Sequence, residues 1–306
     1  MKFWVGITDG DWFNHLARRQ PDEVNFWQPG GGRRFRAIEP GGLFLFKLHS
    51  PDNYIAGGGF FVRNTALPVH LAWEAFGQNN GVSSLPGLME RIARYRKDAS
   101  EANPVIGCNI LTQPFFLERH EWIPAPASWA PNIVTGKTFD TSEDEGAALF
   151  EAVQARLHNK WPHIEEQAAH EQARYGKAFL TRARLGQGAF QILVTDAYHR
   201  RCAISGERTL PALEAAHIKP HSDSGPNHTD NGLLLRSDIH RLFDTGYITV
   251  TPELRIEVSR RIREEFENGR DYYRHHGQQL AVMPEEGWQR PDRTYIEYHN
   301  ERVYRG

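Results

Sequence analysis

The sequence predicts an α+β protein with two domains. The first is β-rich, a small mixed barrel or curled sheet, and a helical connector joins it to a compact second domain built on two strands and a helix. Three observations carry this expectation. Short β-type runs separated by Gly and Pro clusters fill residues 1 to about 135. An acidic stretch beginning TSEDEGAALFEAVQARL follows, after Pro124, Pro126 and Pro131 have punctuated the first region. A segment dense in His, Asn and Asp then occupies about fifty positions. At 306 residues the chain also exceeds the usual length of one domain.

Along the first region the expected strands are KFWVGI, GLFLFKLH, YIAGGGFFV and VIGCNI. One helix is expected after Asp9, and another over Leu85 to Arg96, where Leu88, Ile92 and Tyr95 recur at helical spacing. Thr141 or Ser142 is the expected N-cap of the connector, which runs on through EEQAAHEQARYGKAFLTRARL, is broken at Trp161-Pro162 and ends near Gly186 and Gly188. No internal repeat or low-complexity tract is present.

Composition narrows the chemistry. Hydrophobic residues at 40% and charged residues at 24% are ordinary for a folded chain and give no reason to invoke broad disorder. No apolar run approaches the roughly 20 residues that span a bilayer, and the first residues lack a signal peptide's basic and apolar regions, so a cytoplasmic location is expected. Only Cys108 and Cys202 occur, which excludes a disulfide framework and a four-cysteine zinc ribbon. Cys202 has no paired base in view and reads as a buried small hydrophobe. Any metal must therefore use mainly oxygen and imidazole ligands. The net charge of -2 gives no global basic field, but Arg174, Lys177, Arg182, Arg184, Arg200, Arg201 and Arg208 outnumber Glu171, Asp196 and Glu207 between Glu171 and Leu210. That stretch fits a phosphate track or a solvated helix face.

The second domain holds the chemistry. LPALEAAHI reads as a strand with His217 at its end, just before Lys219-Pro220 stops regular pairing. Asp230-Asn231-Gly232 reads as a turn into LLL, with the Asn231 amide holding the loop. Ser237 is the expected N-cap of a short helix through Asp244, with Gly246 as its stop and Leu242 and Phe243 facing the core. His240 and Asp244 then share one helix face, four residues apart, where an imidazole and a carboxylate can reach one divalent cation. Phosphodiester hydrolysis needs an activated water and charge relief at phosphate; a general base at His217 and a helix-held metal would supply both. TPELRIEV reads as a capping hairpin. Arg260, Arg261, Arg263, Arg270 and Arg274 extend the phosphate track or solvate a helix.

Through AAHIKP, DNGLLL and RSDIHRLFD, residues 198 to 258 resemble the HNH nuclease family, whose ββα-metal unit is two strands, a loop and a helix around one cation. The resemblance implies that His217 is the general base, that Asn231 fixes the loop and that His240 binds metal. The spacing of nine from Asn231 to His240 fits the family. One departure stands out: many members carry a metal-binding Asp or His immediately before the base, where this chain has Ala216. Asp244 is the expected replacement, as in colicin-type nucleases of the same fold, with Glu214 as a further candidate ligand or orienter. His221 and His228 in the loop are candidate phosphate contacts. One Mg, Mn, Co or Ni ion per active site is implied, and tight structural zinc is not.

The first region, through KFWVGITDGDWF, FRAIEPGGLFLFKL and NYIAGGGFFV, resembles the PUA-like superfamily and its EVE branch over residues 1 to 135. Related modules flip modified cytosine out of DNA, and EVE modules occur fused to HNH domains in modification-dependent restriction enzymes. The expected organisation is a modified-base recognition domain over 1–138, a linker over 139–180 and a nuclease over 181–306. Trp12, Asn25 and Trp27 are the expected base pocket, with Arg33 and Arg34, and Arg36 beside them, gripping phosphate. The partner implied is double-stranded DNA carrying 5-methylcytosine or 5-hydroxymethylcytosine. Since a one-metal site cuts one strand, a double-strand break would require a homodimer. The alternatives are an HNH nuclease indifferent to modification, or a modified-base or RNA-binding protein whose HNH unit has lost activity.

Overall fold

In the computed structural model, residues 1–32, 34–96, 101–160, 177–180 and 183–306 are described. They fall into two compact units, Met1–Ala189 and Phe190–Gly306.

The first unit is organised by β1 (Lys2–Thr8), β2 (Glu23–Gln28), β3 (Leu43–Leu48), β4 (Tyr54–Pro68), β5 (Val105–Phe116), β6 (Ile123–Pro124) and β7 (Gly136–Asp140). They form one seven-stranded sheet in the order β2-β5-β4-β3-β1-β7, with β6 pairing β4. The β1–β3 pair is parallel and the others are antiparallel. The sheet curls. Phe26 of β2 and Phe44 of β3 have ring centroids 4.8 Å apart although β5 and β4 lie between their strands; in a flat sheet three strand spacings would hold them roughly 14 Å apart. Close approach at the middle of β4 helps this, since a Cβ on Gly58 would meet Phe44 O and the Phe115 ring, each at 2.7 Å.

Both faces of the sheet are buried, following its alternation. Phe44, Phe46 and Phe26 pack under α1 (Gly10–Arg19) through Trp12, Phe13 and Leu16. Leu43, Leu45 and Phe3 join a second cluster with Leu149, Val153 and Leu157 of α4 (Asp144–Lys160). Asp9 caps α1 by accepting from Trp12 N at 2.7 Å. Two further helices, α2 (Val69–Phe76) and α3 (Leu85–Tyr95), complete the unit, and a short helix, α5, covers Lys177–Leu180.

Several local expectations are corrected. Tyr95 does not join the buried face of α3; it is 55% exposed, while Leu88 and Ile92 are buried. The helix α4 begins at Asp144 and uses neither Thr141 nor Ser142 as a cap, because Thr141 Oγ1 accepts from the Met1 terminal amine instead. The EEQAAHEQARYG part of the expected connector, with Arg174, lies outside the described residues.

The second unit opens within α6 (Gln187–Ala197). It contains the antiparallel hairpin β8 (Leu213–His217) and β9 (Gly232–Arg236), then α7 (Ser237–Asp244). The second hairpin β10 (Ile248–Val250) and β11 (Ile256–Val258) follows, with α8 (Arg261–Phe266), α9 (Arg270–Tyr273) and α10 (Arg293–Arg302). One core joins Phe190, Leu233, Leu234, Leu235, Ile239, Phe243 and Ile296. Ser237 is the first residue of α7 and not its cap. The preceding residue, Arg236, is extended at the cap position with its guanidinium clasping Asp238 at 2.6 and 2.7 Å, so the strand runs straight into the helix. Cys108 and Cys202 are both buried and unpaired. No helix among the described residues is long and apolar enough to cross a membrane.

Candidate active site

The β8–β9 hairpin and α7 bring the titratable side chains together. His217 ends β8 opposite Gly232, the first residue of β9. Its ring stacks on Phe190 of α6 with centroids 4.0 Å apart and planes 12° apart. Gly232 makes room for that packing, since a Cβ there would lie 2.4 Å from Val194 Cγ2 and 3.1 Å from Phe190 Cε2. The Nε2 of His217 lies 2.9 Å from Asn227 Oδ1. Burial lowers the His217 pKa, the Asn227 hydrogen bond acting the other way and the nearby His221 charge reinforcing it. The imidazole is thereby kept neutral at ordinary pH, the form that can accept a proton.

Asn231, the residue before Gly232, is wholly buried. Its Oδ1 accepts from Lys219 N at 2.8 Å, while its Nδ2 donates to Lys219 O and Pro226 O at 3.0 Å each. One side chain thus ties both ends of the loop between the strands, and its donors and acceptors leave a single orientation for the amide. The loop is further braced from α10, where Tyr298 donates to Asp223 Oδ2 at 2.8 Å and lies under the Lys219 ammonium at 5.0 Å.

The helix α7 is amphipathic over two turns, burying Ile239 and Phe243 and turning His240 and Asp244 the other way. His240 sits between two carboxylates: Nδ1 is 2.6 Å from Glu214 Oε2 and Nε2 is 3.2 Å from Asp244 Oδ2. Burial alone would lower the His240 pKa, but hydrogen bonds to and charges on Asp244 and Glu214 outweigh it, and the net shift is upward. Glu214 and Asp244 remain about half exposed, at 50% and 55%, so solvent reaches the pair. Ala216, at the position where a ligand precedes the base in many HNH proteins, is fully buried. It supplies nothing. The carboxylate nearest His240 comes from Glu214, two residues earlier on the same strand.

A buried histidine, His299 of α10, supports α7 from behind. It stacks on Phe243 with centroids 3.8 Å apart, and its ring nitrogens meet Thr249 Oγ1 at 2.8 Å and Phe243 O at 3.1 Å. Burial pulls its pKa down to about 4. Neither Phe190, Asn227 nor His299 was picked out from sequence. The only signal for Phe190 is its place in an apolar helical run, and Asn227 is one polar residue in a polar loop.

The donor set suits a divalent cation in kind, with two exposed carboxylates and one imidazole converging. No three His, Cys, Asp or Glu side chains among the described residues are already disposed around an ion, and both nitrogens of His240 face carboxylates. Glu214, His240 and Asp244 would hold the cation. When bound it would relieve charge on the scissile phosphate and its leaving oxygen.

His221 is exposed, with its ring centroid 6.1 Å from that of His217, and His228 is half-buried near Asp230. In the first unit, Trp12, Phe26 and Trp27 line a cavity of about 190 Å³ together with Thr8, Gln28 and Tyr95. Trp12 is also a core residue, 2% exposed and edge-on to Phe26 and Phe46. Trp27 Nε1 is fixed by Asn80 O at 3.0 Å. Asn25 does not line this cavity; it is fully buried and donates to Asn80 Oδ1 at 2.9 Å. Arg34 is exposed, and Arg33 lies outside the described residues.

Comparison with known proteins gives three findings. The HNH_2 family, described as HNH endonuclease, matches residues 202–251. No protein of curated function matches the chain. Among solved structures, the ASCH protein of Zymomonas mobilis is similar at 11% identity over 47% of this chain and 93% of that chain, with a TM-score of 0.33. A modification-dependent restriction endonuclease, TagI, is similar at 14% identity over 92% of this chain and 75% of that chain, with a TM-score of 0.28. The hairpin, the loop and α7 all fall inside the stretch matched by sequence. The chain therefore carries an HNH endonuclease unit over residues 202–251 and is a DNA nuclease.

Proposed function

We propose that the chain hydrolyses DNA phosphodiesters at the His217 site and that its first unit directs it to DNA carrying 5-methylcytosine or 5-hydroxymethylcytosine. The observation that carries the hydrolytic part is a neutral, buried-edge imidazole at His217 close to a solvent-accessible cluster of Glu214, His240 and Asp244. Water gives a proton to His217, its oxygen attacks phosphorus, the phosphorus–oxygen bond to the leaving group breaks, and the leaving oxygen takes a proton from solvent. Glu214, His240 and Asp244 would hold a divalent cation of the kind HNH nucleases generally use, which would relieve charge on the phosphate. His221 and His228 contact flanking phosphates.

What supports the reading of the first unit is the cavity walled by Trp12, Phe26 and Trp27. Flat aromatic walls accept a base that has left the stack, and polar groups such as Gln28 and Thr8 on the same lining can meet its edge. Exposed Arg34 is available for backbone phosphate. Each chain carries one such nuclease site, so breaking both strands takes a homodimer.

The test is cleavage of matched duplexes carrying cytosine, 5-methylcytosine or 5-hydroxymethylcytosine, with Mg or Mn, by the wild-type chain, His217→Ala and Trp27→Ala. Wild type is expected to cut only modified DNA, His217→Ala to lose roughly 10²- to 10⁴-fold in rate, and Trp27→Ala to lose selectivity. Equal cutting of all three duplexes by wild type would remove the modified-base reading and leave the nuclease.

A further inference from the structure

We propose that Asn227 is a positioning residue for His217, fixing which ring nitrogen is left to take a proton from water. The proposal rests on the reading of His217 as general base. A neutral imidazole carries one N–H donor and one lone pair, so only one of its nitrogens can act as a base at a time. The Asn227 Oδ1 that lies 2.9 Å from Nε2 is a carbonyl oxygen and only accepts. Nε2 therefore carries the proton, and the lone pair is on Nδ1.

Two further contacts keep the ring from turning over. Its face lies on the Phe190 ring at 4.0 Å and 12°, so rotation about Cβ–Cγ would have to part a stacked pair. Asn227 itself directly follows Pro226, whose carbonyl is gripped by the buried amide of Asn231. Asn231 thus reaches the base through Pro226 and Asn227, and the loop it closes has a chemical purpose beyond shape. Asn227 lies ten residues after His217, in the loop between the strands.

The groups that face His217 are Asn227 and His221 from the loop and, through their charges, Asp244 and His240 from α7. All but Asn227 stay constant in the following comparison. Single-turnover cleavage against pH, the Kd for DNA and the nitrogen-15 spectrum of the His217 ring are measured for wild type, Asn227→Ala and Asn227→Asp. The wild-type spectrum is expected to report a proton on Nε2. Asn227→Ala is expected to cleave about 10- to 100-fold more slowly, with unchanged Kd and an acid limb moved to lower pH, since a hydrogen bond that favours the charged ring is gone. In Asn227→Asp the carboxylate stabilises the charged ring, moving the limb to higher pH and restoring much of the rate above it. A role confined to loop folding would change rates and leave the limb in place.

Wild-type rate and limb in Asn227→Ala, with His217→Ala inactive, would overturn the positioning role alone. A His217→Ala chain that cleaves like wild type would remove the base itself.

Discussion

Glu214 and Asp244 hold His240 from opposite ring nitrogens, and that arrangement gives the two carboxylates comparable standing. Sequence spacing favoured Asp244, because an i, i+4 pair on one helix can be read directly. Glu214 could be placed only as a secondary candidate, since its nearness to His240 depends on how β8 packs across α7. Neutralising either carboxylate as Glu214→Gln or Asp244→Asn should raise the Mn or Mg concentration needed for half-maximal cleavage by about 10- to 100-fold and lower the His240 pKa in an NMR titration. A variant that cleaves at the wild-type metal concentration would remove that carboxylate from the metal site. The titration separates the two effects, because it needs neither metal nor DNA.

At the level of elements, the β8–β9–α7 unit was legible because its determinants are local: a histidine before Lys219-Pro220, an Asp-Asn-Gly turn and an apolar pair at helical spacing. What sequence did not reveal comes from α6 and α10, which reach the site from 190 and 299 in the numbering and act through stacking on His217 and Phe243. No local pattern distinguishes a Phe that supports a histidine from one that fills a core. The same holds in the first unit, where β2, β6 and β7 were missed while β1, β3, β4 and β5 were marked by their apolar runs. Asn25 was read as a pocket residue and is instead bonded to Asn80, a contact across 55 positions. Gly232 shows the cost of the close packing under His217. Gly232→Ala places a methyl 2.4 Å from Val194 Cγ2, and overpacking of this kind costs about 1–3 kcal/mol. Urea unfolding should show a lower midpoint, and cleavage should slow as Phe190 is displaced. An unchanged midpoint would mean that α6 yields without cost.

On the scale of the molecule, histidines whose charge is penalised by their surroundings contribute to the response to acid. His15, His217, His275 and His299 have lowered pKa values, with burial the first cause in each case, whereas His240 is raised. A group lowered on folding binds protons more readily in the unfolded chain, so its contribution is intact above the unfolded value of 6.5 and is lost as pH falls toward the folded value. For His299 that window runs from 6.5 down to about 4, and the loss is on the order of 3 kcal/mol once both states are protonated. Denaturant melts at pH 7 and pH 4.5 should show a drop that His299→Gln reduces. An equal drop in both chains would assign the acid sensitivity elsewhere. The two cysteines bear on how such measurements are made. Cys108 is shut inside the sheet with its thiol pushed up to about 12, and the Cys202 sulfur accepts from Ser205 N and Arg236 N at 3.3 Å beneath the nuclease hairpin. Both sulfurs are buried out of reach of a maleimide reagent, so one cysteine introduced at an exposed position becomes a unique handle for a fluorophore or spin label without first stripping the native pair.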